Sequence, residues 1–193
     1  MKSRMGMAVI VAFTMGMAVV VSAADFSAWQ QKMKITLSGY TKPETLTNFP
    51  VLVNLNTNIS GFAYSQFSSA SGGDLRFSAS DGSTELNYEI EKWNTSGTSY
   101  VWVQVPVLSS TSSYVWAYWK NPNQTTAPAY TTNGATWKPD FRGVWHLGEA
   151  SGSAYHFDST SNRNDSTTNG TSTMATNGPV GGASGRNGSA YGV

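Results

Sequence analysis

The sequence contains no cysteine among its 193 residues, and only 12% of its residues are charged. The absence of cysteine excludes disulfide bonds, thiolate metal sites, a cysteine nucleophile and lipid attachment to cysteine. The formal charge of +1 gives no basic surface of the kind that holds phosphates, so we do not expect nucleic acid as a partner. The fold must therefore depend on non-covalent packing alone.

Long hydrophobic runs are also absent, except at the start of the chain. Residues 1–24 combine a basic start at Lys2 and Arg4, an apolar run over 5–21 and the small residues Ser22-Ala23-Ala24. This order is typical of a cleaved secretory signal peptide. An uncleaved membrane anchor is the alternative, because the apolar run of about 17 residues is barely long enough to span a bilayer. We predict a signal peptide over 1–24 and an exported protein that is secreted, periplasmic or at the cell surface.

The rest of the chain is rich in short segments that alternate two kinds of side chain. Such alternation, with a period of two, indicates β-strands whose two faces meet different environments. The predicted strands cover residues 33–37, 49–55, 74–78, 86–91, 100–106 and 114–119. Residues 62–67 fit either a loop or a short helical turn. We predict an all-β fold, an antiparallel β-sandwich or jelly roll.

Two alternating runs, Tyr100–Pro106 and Tyr114–Trp119, are separated only by a short loop. We predict that they pair as an antiparallel hairpin, in which residues opposite one another share a face. The aromatic residues of both runs would then form one stripe and are the candidate ligand-binding residues: Tyr100, Trp102, Tyr114, Trp116 and Tyr118. Periodicity leaves two alternatives open. The rings either fill the core between two sheets, or form an exposed platform that stacks on sugars or contacts another domain.

The composition changes after residue 120. Residues 121–140 are polar, nearly uncharged and interrupted by proline, which is typical of a linker. Residues 141–193 are dominated by Gly, Ser, Thr and Asn and have too few apolar residues to fold alone. We predict a β-sandwich over 25–120, a linker over 121–140 and the N-terminal fragment of a second domain over 141–193.

No catalytic residues are predicted. Glu89 and Glu91 fall on one face of a strand, about 7 Å apart, and this spacing is compatible with glycoside hydrolysis. A solvated strand face explains them better, because no third carboxylate follows them. His146 lies in an apolar run that we predict to be a strand, and it is interpreted as a packed, hydrogen-bonded residue of the core. The sequence also lacks the Gly-x-Ser-x-Gly turn of a serine hydrolase, so we predict a protein that is not an enzyme.

Three oxygen-bearing residues close together, Asp158, Asn162 and Asp165, are candidate ligands for a metal ion. Calcium prefers carboxylate and amide oxygens at such short spacing. The same residue types also suit tight turns, and the order of an EF-hand loop is missing. We therefore expect no cofactor, with calcium at these three residues as the alternative.

Residues 29–120 resemble the bacterial family known as domain of unknown function 2341. The resemblance rests on five motifs in the family's order: Phe49-Pro-Val-Leu-Val53, Asp74-Leu-Arg-Phe77, Tyr88-Glu-Ile-Glu-Lys-Trp93, Tyr100–Pro106 and Tyr118-Trp-Lys-Asn-Pro122. The family implies no established activity for this module.

The segment after residue 140 resembles the opening of a concanavalin A-like (laminin-G-like) jelly roll. The motifs that carry this second resemblance are Val144-Trp-His-Leu-Gly-Glu149, Asp158-Ser-Thr-Ser-Asn162 and Gly181-Gly-Ala183. It implies glycan or protein ligands, sometimes with calcium. In relatives the two modules often occur in tandem in exported, surface-associated bacterial proteins.

The function expected from these observations is that of a non-catalytic bacterial surface or envelope module, a fragment of a longer protein, that binds a polysaccharide or a protein of the cell surface or envelope. The alternative is a structural spacer or docking module of an envelope assembly. A fragment of a glycoside hydrolase is the third hypothesis. No membrane contact beyond the export signal is expected.

Overall fold

The structure is a computed structural model that describes residues 23–138, 140–149 and 155–166, together with the backbone of two later strands. The strands are β1 (Gln31–Thr36), β2 (Leu46–Leu55), β3 (Arg76–Ser78), β4 (Tyr88–Lys92), β5 (Ser99–Leu108), β6 (Tyr114–Trp119), β7 (Ser172–Ala175) and β8 (Ala183–Arg186). The helical elements of the described residues are short 3₁₀ turns at Tyr64–Gln66, Ala129–Thr131 and Ala135–Trp137. The first of these turns lies where the sequence left a loop and a helical turn open. Most of the predicted signal peptide, residues 1–22, lies outside the described residues.

The strands form two antiparallel three-stranded sheets. The first sheet has the order β1-β6-β3 and the second has the order β2-β5-β4. β7 and β8 pair with each other as a separate antiparallel ribbon. One apolar core contains residues of both three-stranded sheets, such as Phe77 and Val115 from the first and Val53 and Val101 from the second. The prediction of an all-β antiparallel sandwich is confirmed.

The inner faces of β5 and β6 are lined by small aliphatic side chains. Val101, Val103 and Val105 of β5, and Val115 and Ala117 of β6, are each at most 2% exposed. Branched and small side chains fit the narrow space between packed sheets, and removing their surface from water stabilises the fold by about 25 cal/mol per Å². The alternate residues of both strands, which include all the aromatic ones except the buried Trp119, must therefore face outward.

The predicted hairpin between β5 and β6 is wrong. β5 pairs with β2 and β4, so that Val103 lies opposite both Val51 and Tyr88. β6 pairs instead with β1 and β3 in the other sheet. The short connection 109–113 thus crosses from one sheet to the other. Alternation shows which residues of a strand face inward, but it does not identify the neighbouring strand.

A groove of about 520 Å³ lies between β1 and β2, the free edges of the two sheets on one side of the sandwich. Its apolar lining includes Met33, Ile35, Leu37, Val51, Val53 and Ile59. Pro50 lies in β2, an edge strand, where a missing N–H group costs no ladder hydrogen bond.

A buried carboxylate fixes the place where the chain leaves the sandwich. Asp74, which is 0% exposed, lies two residues before the start of β3. Its two oxygens accept hydrogen bonds from the backbone N–H groups of Ser68 and Ser69, at 3.0 Å each. One oxygen also accepts from the N–H groups of Lys120 at 2.8 Å and Asn121 at 3.3 Å. Asp74 therefore joins the loop before β3 to the end of β6.

The segment that we predicted as a linker packs against the second sheet. Within residues 121–138, the buried side chains include Asn121, Thr136 and Trp137. The ring of Trp137 lies 5.4 Å from that of Trp102 on β5, measured between centroids. Gln104 of β5 donates a hydrogen bond to the carbonyl oxygen of Lys138. The division into domains at residues 120 and 140 stays a prediction, but this segment is a cover of the sheet and not an extended spacer.

We predict that Asp74→Asn lowers the free energy of unfolding by about 2–4 kcal/mol, because an amide NH₂ replaces one of the acceptor oxygens that face buried backbone donors. Urea denaturation followed by tryptophan fluorescence measures this loss. Asp81→Asn is the matched control, since Asp81 accepts hydrogen bonds from Ser83 and Thr84 on an exposed turn. The control should cost less than about 1 kcal/mol. Equal losses in the two variants would contradict the role given to Asp74.

Candidate functional site

The five aromatic residues proposed as a ligand-binding stripe lie on two different outer surfaces. Tyr100 and Trp102 project from β5 on the second sheet, whereas Tyr114, Trp116 and Tyr118 project from β6 on the first. They are not brought together, because their strands do not pair. The neighbouring aliphatic residues fill the inner faces, so the structure favours the alternative in which these rings lie outside the inter-sheet core.

The outer face of the first sheet combines two rings with two lysines. In the register of β1 and β6, Lys32 lies opposite Tyr118 and Lys34 opposite Trp116. Each lysine reaches one position further, so that the Nζ atom of Lys32 lies 3.9 Å from the centre of the Trp116 ring. The Nζ atom of Lys34 lies 4.0 Å from the centre of the Tyr114 ring. We call Lys32, Lys34, Tyr114 and Trp116 the lysine–aromatic face.

One end of this sheet surface is closed by the chain itself. The ring of Phe26 stacks on Tyr118 with 4.3 Å between centroids, which leaves Tyr118 only 3% exposed. Tyr114 and Trp116 lie beyond this cover and are half-buried, while Lys32 and Lys34 are exposed. The ring of Trp116 packs edge-on against that of Tyr114, with 5.9 Å between the ring centroids and nearly perpendicular planes. Of the three aromatic residues that β6 carries on this sheet surface, Tyr114 and Trp116 are therefore the ones that solvent reaches.

The outer face of the second sheet carries a different arrangement, a histidine between two glutamates. Glu89 and Glu91 of β4 point to the same side because they are two positions apart on a strand. The Nε2 atom of His146 lies 2.9 Å from an oxygen of Glu89, and its Nδ1 atom contacts an oxygen of Glu91. The side chains of Glu89, Glu91 and His146 are 14%, 4% and 20% exposed. We call these three residues the Glu–His cluster.

Neutral donors complete the hydrogen bonding of both carboxylates. The indole N–H group of Trp137 donates to Glu89 at 2.7 Å, and that of Trp102 donates to Glu91 at 3.1 Å. The hydroxyl of Ser159 also donates to Glu89, at 2.7 Å. The interpretation of the two glutamates as a solvated strand face is wrong, because later parts of the chain cover them. The prediction that His146 is hydrogen-bonded is confirmed, but its predicted place in a core strand is wrong, because it lies outside the strands and packs on the outer face of the second sheet.

The two glutamates control the charge of His146. Burial lowers the pKa of His146, but the hydrogen bonds and negative charges of Glu89 and Glu91 outweigh burial and raise that pKa to about 9. At neutral pH the ring is therefore a cation between two anions. The cluster attaches the segment that contains Trp137 and His146 to the second sheet, and it removes the carboxylates from solvent.

We predict that this attachment weakens at alkaline pH. A pKa raised on folding stabilises the folded chain fully below about pH 6.5, the ordinary pKa of histidine, and this stabilisation is lost as the pH rises through about 9. Between about pH 6 and pH 10 the free energy of unfolding should fall by about 2 kcal/mol more in the wild type than in His146→Gln, after a discount for the partly exposed ring. Urea denaturation at each pH measures the difference.

A pH titration followed by nuclear magnetic resonance of the imidazole protons measures the pKa of His146 directly. Glu91→Gln should lower this pKa, because one of the two negative charges is removed while the shape of the side chain is kept. The charge assignment would be refuted by two results together. The free energy of unfolding would change with pH equally in the wild type and in His146→Gln, and His146 would titrate with a midpoint near pH 6.5.

The side chains of the candidate calcium ligands are hydrogen-bonded to backbone groups of their own loop and of the segment before it. The buried carboxylate of Asp158 accepts hydrogen bonds from the N–H groups of Val144, Thr160 and Asn164, each at 2.9 Å. Burial raises the pKa of Asp158, but these hydrogen bonds outweigh burial and lower that pKa to about 2. One oxygen of Asp165 accepts from the N–H group of Asp158 at 2.8 Å.

The third candidate ligand, Asn162, turns its NH₂ group toward the carbonyl oxygens of Phe141 and Arg142, at 3.2 Å each. Within the part of the chain that the structure describes, no group of three or more His, Asp or Glu residues could hold a metal ion. The loop is thus a set of turns closed by its own hydrogen bonds, and calcium at Asp158, Asn162 and Asp165 stays a prediction.

Sequence reasoning missed Lys32, Lys34, Trp137 and Ser159. The lysines had a detectable signal, since they alternate with Met33 and Ile35 and must share the outer face of their strand. Trp137 is a large aromatic residue in a polar segment, which suggests an anchor. Ser159 carries no signal, because nothing local distinguishes it from the other serines around it.

Comparison with protein families gives one match. The family model described as "Domain of unknown function (DUF2341)" matches residues 71–173, more than half of the chain. The match confirms the resemblance to this family and extends beyond residue 120, through the cover of the second sheet and the Glu–His cluster. Searches of curated proteins and of solved structures gave no match. Among the described residues, no helix has the length and apolar character needed to cross a membrane.

Proposed function

The chain belongs to the DUF2341 family, and we propose that it is a non-catalytic module that binds glycan on the outer face of its first sheet. The observation that carries this proposal is the lysine–aromatic face. Trp116 and Tyr114 project outward from a regular strand and remain accessible to solvent. Aromatic rings held in this way offer apolar surfaces on which the C–H faces of sugar rings stack.

The surroundings of the two rings suit a polar ligand with apolar faces. Thr36 of β1 lies opposite Tyr114. Thr36 is exposed, so its hydroxyl is available to hydrogen-bond a sugar hydroxyl at the edge of the ring surface. An antiparallel sheet usually carries small polar groups on its solvent face, and two large rings there need an explanation.

The second sheet supports a role other than catalysis. Glu89 and Glu91, which have the spacing of a glycosidase pair, are almost fully covered and hydrogen-bonded to His146 and two indole groups. A substrate would have to displace Trp137 and His146 to reach either carboxylate. Trp102 is half-buried, like Trp116, but the ring of Trp137 packs on it. Tyr100, also half-buried, lies on the second sheet and away from the two lysines. We therefore assign binding to Tyr114 and Trp116.

We further propose that the protein is exported through the signal at residues 1–24 and acts at the bacterial surface or envelope. Residues 141–193 are proposed to begin a concanavalin A-like jelly roll, on the strength of their motifs. The tandem arrangement would join two binding modules in one exported protein.

A structural docking module is the second candidate. The observation that favours it is the attachment of Trp137 and His146 to the second sheet through the Glu–His cluster. A fixed contact of this kind would orient a following module relative to the sandwich. This candidate requires no sugar affinity at the first sheet.

We predict that Trp116→Ala reduces affinity for a polysaccharide by about tenfold or more. Stacking of a planar base on one aromatic side chain contributes about 1–3 kcal/mol, and we expect the stacking of a sugar ring on Trp116 to be of this order. Affinity electrophoresis against a panel of neutral and acidic soluble polysaccharides measures the loss. Trp102→Ala is the matched control. It should keep the affinity and lower the stability, since it removes the contact with Trp137 and the hydrogen bond to Glu91.

Urea denaturation shows whether each variant is folded before its affinity is compared. A wild-type protein that binds no polysaccharide of the panel would remove the glycan proposal and leave the docking module. Equal loss of affinity in folded Trp116→Ala and Trp102→Ala would move the binding surface away from the first sheet.

A further inference from the structure

We infer that the lysine–aromatic face selects acidic glycans, whose sugar rings carry carboxylate groups, and this inference rests on the proposed glycan-binding function. The face presents two positive charges beside two stacking surfaces. A ligand that places a carboxylate next to a sugar ring would satisfy both features at once.

The two lysines form no ion pair within the part of the chain that the structure describes. Among the described residues, no carboxylate lies within ion-pair distance of Lys32 or Lys34, whereas Arg76 of the same sheet lies 3.6 Å from Glu85. The turn next to Tyr114 contains Asp81, whose carboxylate accepts hydrogen bonds from Ser83 and Thr84 and from neither lysine. Asp25 lines a pocket with Lys32 but does not reach ion-pair distance. Both ammonium groups of the lysine–aromatic face are therefore available to a negatively charged ligand.

The position of the ammonium groups determines whether the face prefers an acidic or a neutral sugar. A sugar that stacks on Trp116 has to displace Lys32 from the ring, and a sugar that stacks on Tyr114 has to displace Lys34. Each displacement loses a cation–π contact. A neutral sugar has no charged group that could pair with the displaced ammonium and offset this loss. A carboxylate beside the stacked ring accepts the displaced ammonium as an ion pair and offsets the loss.

Protection of an edge strand is the other use for lysines at these positions, because charged side chains on an edge discourage pairing with a second chain. β1 is an edge strand. A purely protective lysine extends into water beyond the edge, however, whereas Lys32 and Lys34 turn back over the rings of β6. Their positions thus belong to the ring surface.

An anionic membrane is a rival occupant, since aromatic and basic residues also attract lipid headgroups. Two lysines supply only about 1 kcal/mol each at such a surface. The exposed large apolar side chains among the described residues include Phe49, Val107 and Phe157, and all lie outside the lysine–aromatic face. The structure thus favours the glycan, and the membrane is kept as an outcome of the test.

The test compares two polymers with the same backbone, polygalacturonate and its fully methyl-esterified form. We expect the wild-type protein to bind polygalacturonate about fivefold more tightly at low salt, because two exposed ion pairs contribute about 0.2–1 kcal/mol each. The preference should disappear on the order of 1 M salt, where exposed charges are screened. Lys32→Gln/Lys34→Gln should bind both polymers with similar affinity.

The matched control is Lys42→Gln/Lys92→Gln, which removes the same charge from two exposed lysines outside the face. It should keep the preference. Equal affinity of the wild-type protein for both polymers would overturn the inference and leave glycan binding intact. A preference that survives in Lys32→Gln/Lys34→Gln, or is lost equally in the control, would also overturn it.

Two further outcomes separate the inference from the function beneath it. Binding to a neutral polysaccharide of the panel but not to polygalacturonate would overturn the acidic ligand alone. No binding to any polysaccharide would remove both proposals. Binding to phosphatidylglycerol vesicles in place of polygalacturonate would assign the face to a membrane.

Discussion

The close packing of two three-stranded sheets is the constraint on which the rest of the structure depends. The space between sheets about 10 Å apart is lined by Val101, Val103 and Val105 of β5 and by Val115 and Ala117 of β6. Because neighbouring residues on a strand point to opposite faces, the alternate residues of both strands have to lie outside. A small sandwich with a tight aliphatic centre is thereby left with large rings on both of its outer faces.

The two outer faces cover their rings in different ways. On the second sheet, Trp137 packs on Trp102, and this cover is joined to the sheet by hydrogen bonds to Glu89 and Glu91. Burying two carboxylates under an indole would be costly without a cation, because a buried charge needs a partner. His146 is that partner, and the same two carboxylates raise its pKa to about 9. The cover and the ion cluster therefore depend on each other.

On the first sheet, the rings are covered by flexible side chains. Lys32 and Lys34 lay their ammonium groups over Trp116 and Tyr114. A lysine stem also shields apolar surface while its charged end stays in water. The result is a sheet surface over which the described residues place no covering segment at Trp116 and Tyr114.

Much of the sandwich was predictable from sequence, because strand alternation is a local property. The six predicted strands of the sandwich correspond to β1–β6, and the inward position of Tyr88 on β4 follows from parity, as its 0% exposure confirms. Pairing was not predictable in the same way. The short loop after β5 suggested a hairpin with β6, but the register places β2 and β4 beside β5. Period two contains no information about the partner strand.

The Glu–His cluster was hidden for a related reason. Parity placed Glu89 and Glu91 together on the outer side of β4. Their charge partner, His146, lies 57 residues from Glu89 along the chain, in a segment whose own pattern gave no sign of contact with the sheet. Only the folded arrangement shows that this side of β4 is covered. Long-range contacts between polar residues have no periodic signature in the sequence.

The difference between the two covers indicates which face is suited to ligand exchange. To open the second sheet, the chain has to break the hydrogen bonds of two indoles and one imidazolium, and two glutamates are left without their cation. To open the first sheet, a ligand has only to displace two lysine side chains, at about 0.5–1 kcal/mol each. The backbone stays in place during that change. A surface that opens at so small a cost, without unfolding any element, is the one on which reversible binding can occur at ordinary ligand concentrations.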